Sequence, residues 1–434
     1  MPLAQQLPPD HPQRLELSNE IHARPPEALA APERATYVAV MVGREHRERE
    51  HAHLVTLCQH FGVAPPDTEV NHFRAQLGEL RVKWERHAEF SGYAFFIGGH
   101  SDQPFQAPAS SLLPQGWLAE VPGTTMVAVH TFVAQFAEAS AWSLAVERYF
   151  PGRGVVGAEI GGGAGYAFTD FQINEDGYER FLILDRSMTP RQAGRMSKRL
   201  FEIEAYRVMA LLALPVARAQ APRATEVEQA LGALTEQIAQ HGGGDEALLA
   251  SLTSLAAKVE NAIDASQYRF SAGRAYYDLV RSRIVELRER PLAGIQTIDE
   301  FMARRLAPAM ATCASVSQRL TELSKQVAQV SSLLSTRVEI VREKQNQALL
   351  ASMDRRAQLQ LRLQETVEGL SIAAITYYGA GLVGYLANGV SAAGVHVNHE
   401  IAVALAIPVI AVLVALALRR VRRRVGSKQG PVQR

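Results

Sequence analysis

Two uncharged apolar segments near the C-terminal end constrain this chain of 434 residues more than any other feature. Residues 369–390 read GLSIAAITYYGAGLVGYLANGV, and residues 401–418 read IAVALAIPVIAVLVALAL. A helix needs about 17 to 25 apolar residues to cross the hydrocarbon core of a bilayer, and core helices of soluble proteins seldom contain such runs. The two segments therefore predict a transmembrane hairpin, with a buried core hairpin as the alternative.

The charges around these segments predict their orientation. Five arginines lie directly after the second segment, in the basic tail 419–434, whereas the connection 391–400 contains neither Lys nor Arg. Basic residues concentrate on the cytoplasmic side of membrane helices. The first twelve residues, MPLAQQLPPDHP, lack the basic and apolar regions of a signal peptide. We therefore expect both termini in the cytoplasm and the short connection outside.

The N-terminal part of the chain, residues 15–188, has the pattern of an α+β domain. β-Branched or alternating runs predict strands at 36–42, 80–84, 93–97, 125–133, 155–173 and 180–184, with helices at 44–61 and 135–149. Because the strands follow one another in adjacent runs, we expect a mostly antiparallel sheet. The glycine-rich run 161–165 lacks the spacing of a phosphate-binding loop, so it predicts a bulge or tight hairpin.

Residues 189–368 are predicted to form a helical stalk. Thr189 and Pro190 suit the N-cap and first position of a helix, which is expected to extend to about residue 214 and to be broken by Pro215 and Pro222. Further helices are expected at about 224–240, 246–263 and 265–290, and one long helix over 311–366. A heptad seam in that helix packs either within one chain or between chains; its positions are Val316, Leu320, Leu323, Val327, Val330 and Leu334.

Composition excludes several classes of function. Lys and Arg total 45 and Asp and Glu total 44, so no global basic field favours nucleic acid as a partner. The two cysteines, Cys58 and Cys313, exclude a disulfide scaffold and a cysteine-rich metal site. No Gly-x-Ser-x-Gly nucleophile motif is present. We therefore expect no catalytic residue and no cofactor, apart from a divalent cation at the sites considered next.

Two groups of polar residues in the N-terminal domain are candidate sites. On a helix, His46, Glu50 and His53 share one face, where imidazole and carboxylate groups could bind Zn²⁺ or another divalent ion; a solvated charged face is the alternative. The second group is a polar cluster that forms either a binding site or a buried ion-pair network. Its members are Glu20, His22, Arg24, Trp84, Glu85, Arg86, His87 and Glu89. Strand alternation places Glu85 and His87 opposite Trp84 and Arg86.

The first apolar segment contains one stripe of small or polar residues. Ala373, Tyr377, Ala380, Gly384 and Asn388 are spaced by three or four residues. Such a stripe either packs against a neighbouring helix or lines a pore in a multimer. Both alternatives require partners for the first apolar helix.

Three stretches carry a resemblance to a known family. They are residues 17–29 (LSNEIHARPPEAL), residues 81–96 (RVKWERHAEFSGYAFF) and the pair of apolar segments. Together they resemble an uncharacterised family of bacterial membrane-anchored proteins, a domain of unknown function that covers nearly the whole chain. The resemblance implies anchoring in the bacterial inner membrane and implies no chemistry.

The layout is also similar to that of CorA-type magnesium transporters. Those proteins have a cytoplasmic α/β domain, a long stalk helix, two C-terminal spans and a basic tail, with a Tyr-Gly-Met-Asn signature at the end of the first span. Here the matching region 384–389 reads GYLANG, in which Asn388 alone matches the asparagine and the Gly-Met pair is absent. The resemblance implies a divalent-cation channel.

These observations lead to one functional expectation with two alternatives. We expect a membrane-anchored, homo-oligomeric, non-enzymatic module that senses or scaffolds through its cytoplasmic domain, with a cytoplasmic partner that the sequence does not identify. The first alternative is a CorA-like cation channel. The second, with less support, is a metal-dependent hydrolase in the N-terminal domain.

Overall fold

The computed structural model describes residues 8–15, 17–18, 25–136, 142–240, 244–392 and 398–426. It divides the chain into two compact units, Met1–Ser332 and Leu333–Arg434. The first unit contains the sheet and most of the helices, and the second contains two apolar helical segments. Each unit is described separately below.

The first unit is built on one eight-stranded sheet. Its strands are β1 Glu33–Met41, β2 His72–Leu77, β3 Leu80–Arg86, β4 Phe90–Gly98, β5 Thr124–Gln135, β6 Val156–Ile160, β7 Gly165–Thr169 and β8 Glu179–Asp185. The strand order is β2-β3-β4-β1-β5-β8-β7-β6, and every neighbouring pair is antiparallel except β5 and β8. The predicted α+β domain with a mostly antiparallel sheet is confirmed.

The glycine-rich run corrects one predicted strand. Residues 155–173 form two strands, β6 and β7, which are joined by a tight turn. Gly161, Gly162 and Gly163 in this turn have φ of 66°, 74° and 97°, which is the left-handed region that residues with a Cβ avoid. The hairpin expected at this run is therefore present, and the single long strand was wrong.

Helices cover both faces of the sheet. The α-helices of the described residues are α1 Arg47–His60, α2 Trp142–Tyr149, α3 Pro190–Leu211, α4 Ala213–Ala239, α5 Asp245–Leu287, α6 Ile298–Ala392 and, in the second unit, α7 His399–Gly426. Alternate residues of β1 face opposite ways: Tyr37 and Ala39 pack with α3, α5 and the start of α6, whereas Val38 and Val40 pack with α1. The sheet therefore lies between two helical layers.

The start of α3 follows the prediction, and the helix after it does not. Thr189 caps α3 in a capping box with Gln192, and Pro190 is the first helical residue. The predicted break at Pro222 is wrong, because α4 continues through that residue. Pro215 lies in the first turn, where a missing N–H costs nothing. Ala217, Ala224 and other residues on both sides of Pro222 are buried, so packing outweighs the local cost of proline.

The long helices are longer than predicted. Residues 246–290, predicted as two helices, form the single helix α5 up to Leu287. The helix predicted over 311–366 begins already at Ile298 and continues to Ala392 as α6, passing Pro308. The heptad seam is buried within the single chain at Val316, Leu320, Leu323 and Val327. Over these residues the structure agrees with the alternative in which the seam packs within one chain.

The second unit contains the C-terminal part of α6 and the helix α7. The two apolar segments lie in these helices, and both helices are long and apolar enough to cross a membrane. Their close approach depends on glycine: a Cβ on Gly379 would lie 3.2 Å from Ile410, and one on Gly384 would lie 3.3 Å from Val403. Such small residues let helices pack closely.

Candidate functional site

Strand β3 divides the polar cluster between the two faces of the sheet. Lys83 and Glu85 point towards α3, and His87 lines the same cavity. Trp84 and Arg86 point the other way and contact Glu50 of α1. The predicted alternation is therefore present, and it assigns the cluster to two separate networks.

The first network is centred on the fully buried carboxylate of Glu50. Its Oε1 accepts hydrogen bonds from Trp84 Nε1 at 3.1 Å and from the Tyr93 hydroxyl at 2.9 Å. Its Oε2 accepts from Arg86 Nη2 at 3.1 Å, and the Arg86 guanidinium also lies 4.7 Å from the centre of the Trp84 ring. A buried charge is tolerated when it is paired and hydrogen-bonded, so this network holds α1 to the sheet.

The predicted metal ligands are not brought together. Glu50 makes the contacts just described, and His53 Nε2 lies 2.8 Å from the Trp117 carbonyl, with its ring stacked on Trp117. His46 lies in the short 3-10 helix before α1. Within the described ranges, no group of three or more His, Cys, Asp or Glu side chains is placed to hold a metal ion. Helical spacing predicted that the three side chains share one face. In the folded chain, Glu50 and His53 instead make contacts with other elements that stabilise the fold.

The second network lines a small cavity between the sheet and α3. Lys83 Nζ lies 2.9 Å from Glu85 Oε1, and Lys198 Nζ of α3 lies 3.2 Å from the same oxygen. The cavity has a volume of about 40 Å³. Its walls are largely aromatic, formed by Tyr37, Phe90, Phe96, Phe201 and Tyr206. Glu27 and Glu202 also line the cavity, and Lys198 Nζ lies 3.8 Å from Glu202 Oε1. Two amines and three carboxylates therefore meet beside an apolar surface, and polar groups placed against apolar walls are typical of ligand sites.

Burial and neighbouring charges shift the acid–base properties of this network. Burial lowers the pKa of Lys83 below its ordinary value, and the ammonium of Lys198 acts in the same direction against the opposing charge of Glu85. Burial alone would raise the pKa of Glu85, but Lys198 and Lys83 outweigh it and hold that pKa below its usual range. Perturbed groups of this kind concentrate at functional sites.

The C-terminal end of the first family-like stretch, residues 25–29, closes one side of the cavity. Lys83 Nζ donates a hydrogen bond to the Pro25 carbonyl, and Glu27 lines the cavity. Gly194 of α3 lies against the Glu27 carbonyl. Glu20, His22 and Arg24 lie outside the described residues, so their pairing with the β3 cluster stays a prediction.

Glu89 belongs to neither network. Its carboxylate accepts a hydrogen bond from the Tyr268 hydroxyl at 2.7 Å and from Arg269 Nη1 at 2.8 Å. It therefore connects the turn between β3 and β4 to α5. Sequence reasoning missed the partners Tyr268, Arg269 and Lys198, because they are brought near by the fold from more than 100 residues away and no local spacing marks them.

A further buried acidic pair joins β8 to α3. Arg207 of α3 forms an ion pair with Glu204, and its Nη2 lies 3.3 Å from Oε1 of Glu179 in β8. Burial, and then the neighbouring Glu204 carboxylate, raise the pKa of Glu179 to about 9, although Arg207 opposes the shift. Glu179 therefore holds a proton in the folded chain at neutral pH, where an unfolded glutamate has lost it.

We expect this proton to make stability depend on pH. The raised pKa stabilises the folded chain below about pH 4.5, and the contribution is lost as pH rises to about 9. Glu179→Gln has no ionisable carboxyl at this position, so it should not show this loss of stability. At pH 8.5 the free energy of unfolding of the variant should therefore be higher than that of the native chain by on the order of a few kcal/mol, because one unit of pKa shift corresponds to roughly 1.4 kcal/mol. Urea unfolding between pH 5 and 8.5 measures this. The exposed Glu226→Gln is the control, and parallel pH profiles of the Glu179→Gln variant and the native chain would contradict the expectation.

The predicted stripe of the first apolar segment is divided between two surfaces. Ala380 and Gly384 are buried in the second unit, where Gly384 packs against α7. Ala373, Tyr377 and Asn388 are exposed. Packing within the hairpin therefore accounts for two of the five positions, and the other three positions are exposed.

Comparison with known proteins places the chain in a family. A family described as a protein of unknown function (DUF3422) matches residues 9–425. The chain belongs to this family. No curated protein and no solved structure matches it, so the similarity in layout to CorA-type transporters gains no support. Membership in DUF3422 confirms the family resemblance of the sequence and assigns no activity to the cavity.

Proposed function

We propose that the chain is an oligomeric, membrane-anchored, non-enzymatic module that senses through its sheet domain. The observation that best supports this proposal is the length of α6, which runs from Ile298 to Ala392. Ile298, Met302 and Leu306 at its beginning are buried in the core that α3 and α5 form with the sheet, and the same helix contains the first apolar segment. A cavity lined by ionisable groups lies in that sheet domain, and the chain has two segments suited to a membrane.

The exposed polar residues of the apolar segment support the oligomer. Tyr377 and Tyr385 are 77% and 81% exposed, and Asn388 is also exposed. Polar side chains inside a membrane almost always face other protein or water. Further copies of the chain would supply that environment.

Cysteine labelling tests the membrane topology. Cys58 and Cys313 are buried, so a membrane-impermeant maleimide should report an introduced cysteine. We expect Ser391→Cys, at the predicted outer connection, to be labelled in intact spheroplasts. Ser352→Cys, which is exposed on α6, should be labelled only after lysis, because its side of the first span is expected in the cytoplasm.

The unsubstituted chain is the control, and it should remain unlabelled in both conditions. Labelling of Ser352→Cys in intact spheroplasts, or recovery of the native chain in the soluble fraction, would contradict membrane anchoring. Ser352 and Ser391 lie on the same helix, so a difference between them reports the barrier and not the fold.

The two alternative functions have less support. A cation channel would use the stripe as a pore lining, but Ala380 and Gly384 of that stripe are already buried. A metal-dependent hydrolase would use His46, Glu50 and His53, but Glu50 is committed to Trp84, Tyr93 and Arg86. Both remain predictions of the sequence.

A further inference from the structure

A surface cleft of about 320 Å³ lies between the start of α3, the end of α5 and the glycine turn 161–164. Sites for small molecules typically have volumes of about 300 to 1,000 Å³, so the cleft is large enough to hold a ligand. Among the described residues, its lining includes three arginines, Arg195, Arg199 and Arg288, and one carboxylate, Glu286. The lining therefore carries an excess of two positive charges.

The carboxylate of Glu286 is already satisfied within the protein. It accepts a hydrogen bond from Arg199 Nε at 2.9 Å and one from Arg283 Nη1 at 2.6 Å. In the part of the chain that the structure describes, the side chains of Arg195 and Arg288 form no hydrogen bond and no ion pair. Two guanidinium groups are therefore available to an anion in this cleft.

The backbone conformation of Arg288 supports a ligand-binding role for its side chain. Arg288 ends α5 with φ of 52°, in the left-handed region that residues with a Cβ avoid. Glycine is the usual residue in this conformation at the end of a helix. Residues held in such conformations cluster at ligand-binding and active sites, so an arginine here indicates that its guanidinium has a function.

The glycine turn holds the end of α5 at the cleft. The Gly161 N–H donates a hydrogen bond to the Leu287 carbonyl at 2.8 Å. The backbones of Glu159 and Arg290 exchange two more hydrogen bonds, of 3.0 and 2.8 Å. These contacts fix the position of Arg288 relative to β6 and β7. Gly161 also lines the cleft, where the lack of a side chain lets a ligand approach the backbone closely.

The arginines of the cleft favour a phosphate group as the anion. Arg195 and Arg199 lie one turn apart on α3, where like charges destabilise a helix, and a bound anion would relieve this repulsion. A guanidinium can donate two parallel hydrogen bonds to a phosphate. Because a phosphate group offers three acceptor oxygens, it can contact arginines from two helices at once.

We propose that this cleft binds the phosphate group of a small molecule, with its oxygens at Arg195 and Arg288 and with Arg199 as a contact shared with Glu286. Val285 also lines the cleft and is 76% exposed, so its side chain can contact the organic part of the molecule. This gives the proposed sensing role a ligand class and rests on it in that respect. Binding itself requires only the folded first unit.

Calorimetric titration of the detergent-solubilised full chain with inorganic phosphate tests the proposal. We expect saturable binding that sodium chloride at equal ionic strength does not reproduce. Arg195→Gln and Arg288→Gly should each weaken binding by about tenfold or more, because hydrogen bonds to a charged group are lost. Arg288→Gly should unfold at close to the native temperature, because glycine adopts a φ of 52° readily, so unfolding would not explain its loss of binding.

Arg223→Gln is the matched control, because Arg223 is an exposed arginine of α4 outside the cleft. It should bind phosphate as the native chain does. No saturable binding of phosphate, equal binding of chloride, native affinity in either Arg195→Gln or Arg288→Gly, or an equal loss in Arg223→Gln would each overturn the proposal.

The same phosphate chemistry could come from a soluble molecule or from a lipid headgroup, and two further titrants distinguish these sources. Glycerol phosphate that binds more tightly than dihexanoyl phosphatidic acid would assign the site to a soluble ligand. Tighter binding of the lipid, abolished in Arg288→Gly, would assign it to a headgroup. The cysteine labelling is independent of these results, so failure of the phosphate site and failure of the membrane anchor are distinguishable.

Discussion

Replacing Glu50 with alanine is expected to lower the free energy of unfolding by about 3–5 kcal/mol, the cost of removing one partner from a buried ion pair. The substitution leaves the Arg86 guanidinium without its buried counter-ion and removes the acceptor of Trp84 Nε1 and of the Tyr93 hydroxyl. Urea unfolding of the solubilised chain, followed by tryptophan fluorescence, measures the change. Trp84 lies in the network itself and so reports on it directly.

Two further variants separate the carboxylate network from a general effect on α1. Glu48→Ala removes an exposed carboxylate from the same helix, and we expect a change within about 0.5 kcal/mol. Glu50→Gln keeps the size of the side chain and one acceptor oxygen but loses the charge, so it should fall between the native chain and Glu50→Ala. A Glu50→Ala variant as stable as Glu48→Ala would show that the buried contacts do not hold α1 to the sheet.

Glu50 also shows which properties of a residue can be predicted from the sequence and which cannot. Spacing on α1 correctly placed His46, Glu50 and His53 in or next to one helix, and composition suggested a metal. Burial of Glu50 depends on β3 and β4, whose residues Trp84, Arg86 and Tyr93 lie more than 30 positions away. A pattern of neighbouring residues contains no information about such distant partners. It therefore identified Glu50 as a candidate residue but did not predict its structural role.

Some strands of the sheet could be predicted from the sequence, and others could not. Runs of apolar and β-branched residues identified the interior strands β1, β4 and β5 and the alternation of β3. The edge strand β2, with the sequence HFRAQL, was missed because it buries only Leu77. An edge strand carries little apolar periodicity. Lys198 was missed for a different reason, since it reaches Glu85 from a helix 113 residues away.

Replacing Gly194 with alanine is expected to cost more than about 3 kcal/mol, at or above the upper end of the range for overpacking. A Cβ at this position of α3 would overlap the backbone carbonyl of Glu27, and that carbonyl has no flexible end that could move aside. Either α3 or the segment 25–30 must shift. Thermal unfolding of the solubilised chain measures the loss of stability.

Gly232→Ala is the matched control for this substitution. Gly232 lies in the helix α4 with no atom within 4 Å of the Cβ position, so alanine there should stabilise the chain by about 0.5–1 kcal/mol. A Gly194→Ala variant with the same gain would show that α3 does not pack against the segment 25–30. A loss of stability would agree with the close backbone contact between α3 and the segment 25–30, which also supplies the Pro25 carbonyl that accepts a hydrogen bond from Lys83.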